Sequence, residues 1–580
     1  MDRRTFLKGG LVVVGSTFAA GALGGCAAKG SSAAAKESEA ATAAEWYGSP
    51  LDVSTLDIAE TVETEILVCG AGSGGIMATA VAAKEGAKVV CIEKGGSSGS
   101  MKTYVGVVGS RIDEAAGVSV DKMAVLNEFT RYTNGWCDPR VARVWVNESG
   151  EAFDWICDAV AEFGVTPYFE TDTGGAYHGC WPVYPLQHGF SYSYTDEEMA
   201  AAQEKVGDNA DPSAMVQALP KASTYLLQKA VEWGADVRYL TALVQLERDD
   251  NGRVTGAIAD NNGSYVRINA SKGVILATGG YEADPDLLAQ LNPDAASIGG
   301  VSMAQMGCVG DGIKAGLWAG GVKDEIPTLM TFARAAVAPD VELGYPYAGT
   351  SCWMGDQPFL KVNMRGERVC CESSPYDYPL FVGTAHPGRK LASIWDANYQ
   401  EHIKAFHTIG CSRIAPSETL TPEGNPNGEG LTFEANDGMI FQAIENGIIQ
   451  QADTLEELAE KLLMPGDALE ATVARYNELC EQGVDEDFGK ESKDMLALGT
   501  PPYFGAYFGG HVLCTLDGLK IDEHARVIDE AREPIEGLYA VGNCSGSLFA
   551  GSYPELLIGS ANGRTITFGR HAVLHILGKA

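Results

Sequence analysis

Positive charge is scarce in this chain. Its 580 residues carry 42 Lys and Arg against 77 Asp and Glu, a formal net charge of -35. Such a surface repels a phosphate backbone, which excludes nucleic acid as a partner. It stays compatible with docking a basic electron-donor protein, and equally with a plain solvated acidic surface. Cysteine is plentiful, at 14, but the patterns that give it a structural role are missing. There is no CxxCH for haem attachment, no paired CxxC for zinc or iron–sulfur, and no disulfide framework. Cys370 and Cys371 are adjacent and do not suit each other as partners, so the thiols read as buried apolar fillers and no metal site is expected. No internal repeat is present. The one long apolar run, near the N-terminus, is too short and Gly-rich for a stable membrane span.

At 580 residues the chain is too long for a single hydrophobic core, so two or more domains are expected. The hydrophobic fraction of 45% is that of a soluble globular protein, and 70 glycines suggest many close backbone approaches, as a large cofactor site requires. Residues 1–26 open with Arg3-Arg4 before Phe6-Leu7-Lys8, which reads as a twin-arginine export signal. Leu23-Gly24-Gly25-Cys26 reads as a lipobox, with Cys26 the lipidated N-terminus, rather than an ordinary small-residue cleavage site. The expected location is therefore extracytoplasmic, on a bacterial cell membrane. Residues 27–60 are rich in Ala, Ser, Lys and Glu at their start and read as a tether.

The stretch that organises the rest is TEILVCGAGSGGIMATAVAAKEGAKVVCIEK, residues 64–94. An apolar run leads into Gly70-Ala71-Gly72-Ser73-Gly74-Gly75, a helix-patterned segment follows, and a second apolar run ends at Glu93. This is a βαβ unit with a dinucleotide fingerprint. Gly70 permits the tight turn, Gly72 lets backbone approach a pyrophosphate, and Gly75 lets helix and strand pack closely. Unpaired N–H groups at the helix start favour the anion, and Glu93 is placed to accept from a ribose.

Further on, residues 121–164 fit a helical period and residues 237–268 alternate as strands, with a hairpin turn at Asp249-Asp250-Asn251-Gly252. Two more glycine-ended strands recur, VILATGG and LYAVGN, and a helix is expected from near Glu555 to Arg570. Three close-approach points exceed what a nicotinamide needs and suit FAD. No second strand–GxGxxG–helix occurs, so no separate NAD(P)H domain is evident and electrons must come from an external donor. The fold class is α/β, a Rossmann-like FAD-binding domain with a parallel sheet, helices and a β-hairpin layer, plus an inserted α+β capping domain. Its segments are 61–320 and 501–580 for FAD binding and 321–500 for the cap.

These motifs resemble the flavoprotein superfamily of fumarate reductases, succinate dehydrogenases and ketosteroid dehydrogenases over roughly residues 62–575. The likeness rests on GAGSGG with Glu93-Lys94, ATGG at 277–280, GDG at 310–312, VNMRGERVCCES at 362–373, PPYFGAYFGGHVLCTLDGLKID at 501–522, GLYAVGN, and TFGR at 567–570. It implies FAD held by Gly70, Ala71, Gly72, Ser73, Gly74, Gly75, Glu93, Lys94, Ser98, Val244, Thr278, Gly279, Gly280, Asp311, Gly542, Asn543, Leu557 and Ile558. It also implies a mobile cap, and hydride passing between flavin N5 and a C–C bond beside a carbonyl.

The chain departs from the fumarate reductases where they bind a dicarboxylate. Four residues after Glu372, where their catalytic Arg stands, is Tyr376. Leu513 and Cys514 occupy the places of paired histidines, with His511 out of register. Gly551-Ser552-Tyr553-Pro554-Glu555 replaces the C-terminal clamping Arg. Ketosteroid dehydrogenases are more similar here, which implies Tyr376 as acid/base and Tyr553 as a hydrogen-bond donor to the ketone. Their second donor, a Gly N–H, falls at Leu557, whose N–H is expected to serve as the start of a helix. Arg334 could contact substrate but reads first as a surface ion-pairing residue, and the aromatic loops with Tyr177, His178, Trp181, Tyr184 and His188 could line an apolar substrate cleft but read first as packing. The expectation is an FAD-dependent reductase of the C=C bond of an α,β-unsaturated carbonyl compound, an enone that is possibly steroid-like. A membrane-bound haem protein or quinone-linked donor would feed it, as in anaerobic respiration. The alternatives are the reverse 3-ketosteroid-type dehydrogenation, a fumarate- or urocanate-type reductase, and a non-catalytic flavin-binding lipoprotein.

Overall fold

In the computed structural model the described residues are 46–99, 101, 104–170, 172–173, 177–178, 181–207, 215, 218–375, 377–417 and 430–580. The export signal, Cys26, most of the tether and Tyr376 lie outside them. Strand β1 (Ile58–Cys69) is exposed over its first half and buried from Ile66 to Cys69, where its sequence turns wholly apolar. Helix α1 (Ser73–Lys84) follows at once and is buried from Gly74 to Ala83. Its Gly and Ala side chains let neighbours approach from all sides. Strand β2 (Val89–Ile92) pairs parallel to β1, completing the expected βαβ unit.

Two amphipathic helices, α2 (Pro139–Val160) and α3 (Ala222–Glu232), precede β3 (Asp236–Arg238), which pairs with β2. The hairpin of β4 (Thr241–Arg248) and β5 (Val254–Asn261) turns where the sequence indicates, at Asp249 to Gly252, with Gly252 at φ +87°. Strand β6 (Ser264–Leu276) returns beside β1, pairing Leu67 with Val274 and Cys69 with Leu276. Helix α4 (Asp311–Trp318) follows.

A second sheet is built from β7 (Leu329–Val337), β8 (Leu360–Val362), β9 (Leu391–Trp395) and β10 (Tyr503–Thr515). Strand β10 lies between β7 and β9, antiparallel to both. It therefore belongs to the second sheet although it follows residue 500, and the chain rejoins the first sheet only afterwards. It does so through β11 (Arg526–Ile528) and β12 (Pro534–Ala540). The order of the first sheet's main path is β11-β12-β6-β1-β2-β3, and β12 is parallel to β6. Helix α5 (Ser560–Ile576) closes the fold. It crosses α1 closely, since a Cβ on Gly569 would stand 2.7 Å from the Gly74 carbonyl oxygen. The result is the mixed α/β architecture expected, with the hairpin layer on the first sheet and a second sheet inserted.

In the VNMRGERVCCES segment, Arg368 and Glu372 form a paired brace. Arg368 donates from Nε and Nη2 to Glu372 (2.9 and 2.7 Å) and from Nη1 and Nη2 to Asp485 (3.0 and 2.7 Å). Burial opposes ionisation of Asp485, but the guanidinium outweighs it and holds the carboxyl down at about 2. His188 is fully buried, with Nδ1 2.9 Å from the Leu186 carbonyl and Nε2 2.7 Å from Asp113, so it serves packing.

Candidate active site

A cavity of about 1870 Å³ runs between the two sheets' loops, beyond the roughly 300–1,000 Å³ of a single small-ligand pocket. At one end the fingerprint supplies its wall through Gly70, Gly72, Ser73 and Gly74. Gly75 stands behind them, where a Cβ would lie 2.9 Å from the carbonyl carbon of Gly70 and closer still to its oxygen. Gly72 is different: a Cβ there meets nothing of the protein nearer than the Ala277 oxygen at 4.0 Å. Its missing side chain clears space in the cavity rather than in the fold.

Glu93 lies on the wall and accepts from the N–H of Ala71 and of Gly95, each at 2.8 Å. Each oxygen keeps lone-pair capacity for a sugar hydroxyl. Lys94 on the same wall pairs with Asp311 at 2.6 Å. Ser98, Thr278, Gly279, Gly542, Asn543 and Ile558 also line the cavity. Thr278 Oγ1 accepts from Gly312 N–H (3.0 Å), holding the start of α4 in place.

Five of the residues assigned from sequence are not in the wall: Ala71, Gly75, Val244, Gly280 and Leu557. The first two are in the packed turn beneath it. On β4 the cavity-facing residues are Thr241 and Leu243, so strand alternation turns Val244 away. Gly280 is backed by Glu282 and Thr515, where a Cβ would come within 2.5 Å of Glu282 Oε2. Leu557 corrects a mechanistic expectation. Helix α5 begins at Ser560, not near Glu555, and Leu557 donates its N–H to Pro554 O at 2.9 Å. That N–H is already used, so it is not the spare donor expected. The first turn of α5 nonetheless reaches the cavity through Gly559, Ala561 and Asn562, bringing a second helix N-terminus to the same space as that of α1.

Tyr553 is 7% exposed and forms part of the wall. Burial pushes its phenol well above the usual value. Its hydroxyl therefore stays protonated and able to donate. The neighbouring Ser552 donates to Asp377 (2.5 Å), a buried carboxyl that desolvation lifts to about 7. Tyr376, the assigned acid, lies outside the described residues, but both flanking positions, Pro375 and Asp377, are buried.

The surface role read for Arg334 is wrong. It is 6% exposed, sits on β7 and lines the cavity. Its Nε pairs with Asp356, its Nη2 donates to Cys411 O and Ser412 Oγ, and its guanidinium lies 3.8 Å from the Trp353 ring centre and 4.3 Å from that of Phe332. The sequence signal was available: one Arg inside the otherwise apolar run LMTFARAAV, all nine residues of which are buried. Met330, Leu513 and Cys514 share that wall. Among the described residues no group of His, Cys, Asp and Glu could hold a metal ion, and all twelve described cysteines are free.

The donor set fits a bound dinucleotide: two helix N-termini for anionic or electron-rich groups, a ribose-type acceptor in Glu93, and clearance at Gly72. Sequence comparison agrees. The chain is 25% identical over 520 residues to the vinyl phenol reductase of Lactiplantibacillus plantarum, covering 88% of this chain and 96% of that protein. It is 27% identical over 606 residues to the digoxin reductase of Eggerthella lenta, covering 99% and 96%. The fold matches the crystal structure of 3-ketosteroid-Δ4-(5α)-dehydrogenase from Rhodococcus jostii RHA1 with a TM-score of 0.65 at 21% identity, over 91% of this chain and 99% of that one. The cofactor is FAD, and the protein is a flavin-dependent oxidoreductase acting on C=C bonds. Residues 65–556 match the model of the FAD binding domain, and the chain belongs to that family.

Proposed function

We propose that the protein reduces the C=C bond of a neutral α,β-unsaturated carbonyl compound, taking electrons from an external donor. The observation that carries this reading is the buried Tyr553 on the cavity wall beside the N-terminus of α5. Bound FAD, once reduced by the external donor, would supply a hydride for the β carbon. The protein's part is to polarise the carbonyl and deliver a proton to the α carbon. Tyr553 donates to the carbonyl oxygen as negative charge develops there, in a setting screened from water. Tyr376 is the proposed proton donor to the α carbon, since a phenol can give a proton to an adjacent enolate and take one back in reverse. Met330, Phe332, Ile409, Leu513 and Ile558 offer an apolar bed for the substrate's carbon skeleton. The vinyl phenol and digoxin reductases, by their names, work in the reducing direction on unlike compounds, which supports reduction over the ketosteroid-type reverse reaction.

Export through the twin-arginine signal, attachment through a lipidated Cys26, and supply by a membrane-bound haem protein or quinone-linked donor complete the proposal. A net charge of -35 suits a basic docking partner. Among the described residues no helix is long and apolar enough to cross a membrane. The test is anaerobic: the flavoprotein is reduced with dithionite or viologen, then offered enones, enoates and dicarboxylates while flavin reoxidation is followed. Fast reoxidation by enones is expected. Reoxidation by dicarboxylates alone would overturn the reading, and none by any compound would favour a non-catalytic flavin carrier.

A further inference from the structure

Loss of the Leu557 N–H as a spare donor leaves Tyr553 as the single assigned group for the carbonyl oxygen. The cavity wall holds another. Arg334 Nε and Nη2 are engaged with Asp356, Cys411 O and Ser412 Oγ, while Nη1 makes no hydrogen bond to the described residues. Tyr553 shares the cavity with that segment. Ile558, five residues after Tyr553, packs 3.3 Å from where a Gly410 Cβ would be. Arg334 therefore bonds to the strip Gly410–Ser412, which lines the cavity together with Arg334 and Tyr553.

The charge of this Arg is matched locally. Asp356 is 8% exposed and holds the guanidinium through Oδ2, which also accepts from Ser412 Oγ at 2.9 Å. Its Oδ1 is buried with no hydrogen-bond partner among the described residues. Phe332 and Trp353 cover the guanidinium at 4.3 and 3.8 Å, so water does little to screen it. An anion entering here meets a cation that is already neutralised, with the unpaired Asp356 oxygen close by. A neutral carbonyl oxygen meets a strong donor without that repulsion.

We propose that Arg334 Nη1 is the second donor to the substrate carbonyl, and that Asp356, by cancelling the guanidinium charge, makes the site select a ketone over a carboxylate. This deepens the enone reading and rests on it. It assigns Arg334 and Asp356 as specificity-determining residues and describes the preferred substrate as an uncharged conjugated ketone.

The test uses a matched pair of probes, 4-phenylbut-3-en-2-one and cinnamate, which differ by a methyl group against a charged oxygen. Dissociation constants are read from the shift each causes in the visible spectrum of the oxidised, FAD-loaded protein, and reoxidation of the reduced protein is measured separately. The parent is expected to bind the ketone more tightly. Asp356→Asn keeps the shape and frees the guanidinium charge, so the ketone-to-acid ratio of dissociation constants should move toward cinnamate by about tenfold or more, the scale of a charge-assisted hydrogen bond. The double variant Arg334→Met/Asp356→Leu replaces the pair with apolar groups, a change folds often tolerate. It should weaken ketone binding by about tenfold with no gain for the acid. An unmoved ratio in Asp356→Asn, or unchanged ketone affinity in the double variant, overturns the assignment while the parent's reoxidation by the ketone keeps the enone reading intact. If the parent neither binds nor is reoxidised by either probe, both fall.

Discussion

Two glycines of one motif, three residues apart, should fail in opposite ways when given a methyl group. At Gly75 a Cβ would stand 2.9 Å from the Gly70 carbonyl carbon, deep inside contact with its oxygen, and 3.2 Å from the Ala277 side chain. Both obstacles belong to the turn and the adjoining strand end, which cannot swing aside as a long side chain can. Ordinary overpacking costs about 1–3 kcal/mol, and here backbone must separate from backbone, so Gly75→Ala should lose ~3 kcal/mol or more even without cofactor. At Gly72 the backbone is extended (φ −79°, ψ −177°), which any residue adopts, and the nearest atom is 4.0 Å away. Ala is a poorer helix cap than Gly, so Gly72→Ala should cost the apoprotein only ~0.5–1 kcal/mol. Its methyl group would instead occupy the space a phosphate needs. Losing one charge-assisted hydrogen bond is worth about 1.5–3 kcal/mol, roughly a ten- to hundredfold rise in the FAD dissociation constant. Thermal melts of the stripped proteins and quenching of FAD fluorescence measure the two effects separately. The reasoning fails if Gly72→Ala binds FAD like the parent, or if stripped Gly75→Ala melts like the parent.

Tyr553→Phe should keep the flavin spectrum and slow enone-driven reoxidation on the order of a hundredfold, as removal of a single oxyanion donor does; an unchanged rate would remove Tyr553 from the chemistry. Tyr376→Phe should slow the same step while leaving ketone binding, read spectrally, within about twofold. Arg368→Gln takes away the two-bond partner of Glu372 but leaves Lys490 at 3.6 Å, so it should destabilise by about 1–3 kcal/mol in denaturant melts. Asp377 gives a pH test. Its folded value of about 7 lies above the ordinary 3.8, so between those values the folded state holds a proton the unfolded state has released. Stability from this group is full below about pH 4, falls as pH rises to about 7 and is flat beyond, by ~4 kcal/mol at most. Asp377→Asn should remove that part of the slope in melts from pH 4.5 to 8.

The cofactor half of the molecule is legible because its chemistry is local. Gly70 to Gly75, the buried end of the strand before them and Glu93 sit within thirty residues, and a Cβ on Gly75 is barred by the carbonyl of Gly70, five residues before it. The hairpin at Asp249 to Gly252 and the buried run ending at Leu276 are read for the same reason. The last helix is misplaced by five residues because the Pro554 carbonyl takes the Leu557 N–H in a turn, and Gly559 at φ +74° becomes the cap. The boundary at residue 500 fails similarly. A composition change marks where loops end, but β10 joins the second sheet through pairing with β7 and β9, a long-range fact with no local trace.

The substrate half depends on such long-range facts throughout, which is why Arg334 was misjudged. An arginine alone in sequence belongs by default on a surface. What reverses that default is the run around it: five apolar or small residues before it and three after leave a nine-residue strand with no polar face, and a strand buried on both faces carries its polar residue inside. A cation so placed must be matched. Asp356 lies 22 residues on, and its carboxylate reaches the guanidinium only because the short turn at Trp353–Gly355 brings the chain back alongside β7. The missing dicarboxylate clamp and the presence of this neutralised Arg then have one explanation. On the proposed reading, the site keeps a guanidinium's strength as a donor while giving up its net charge, which suits an uncharged carbonyl.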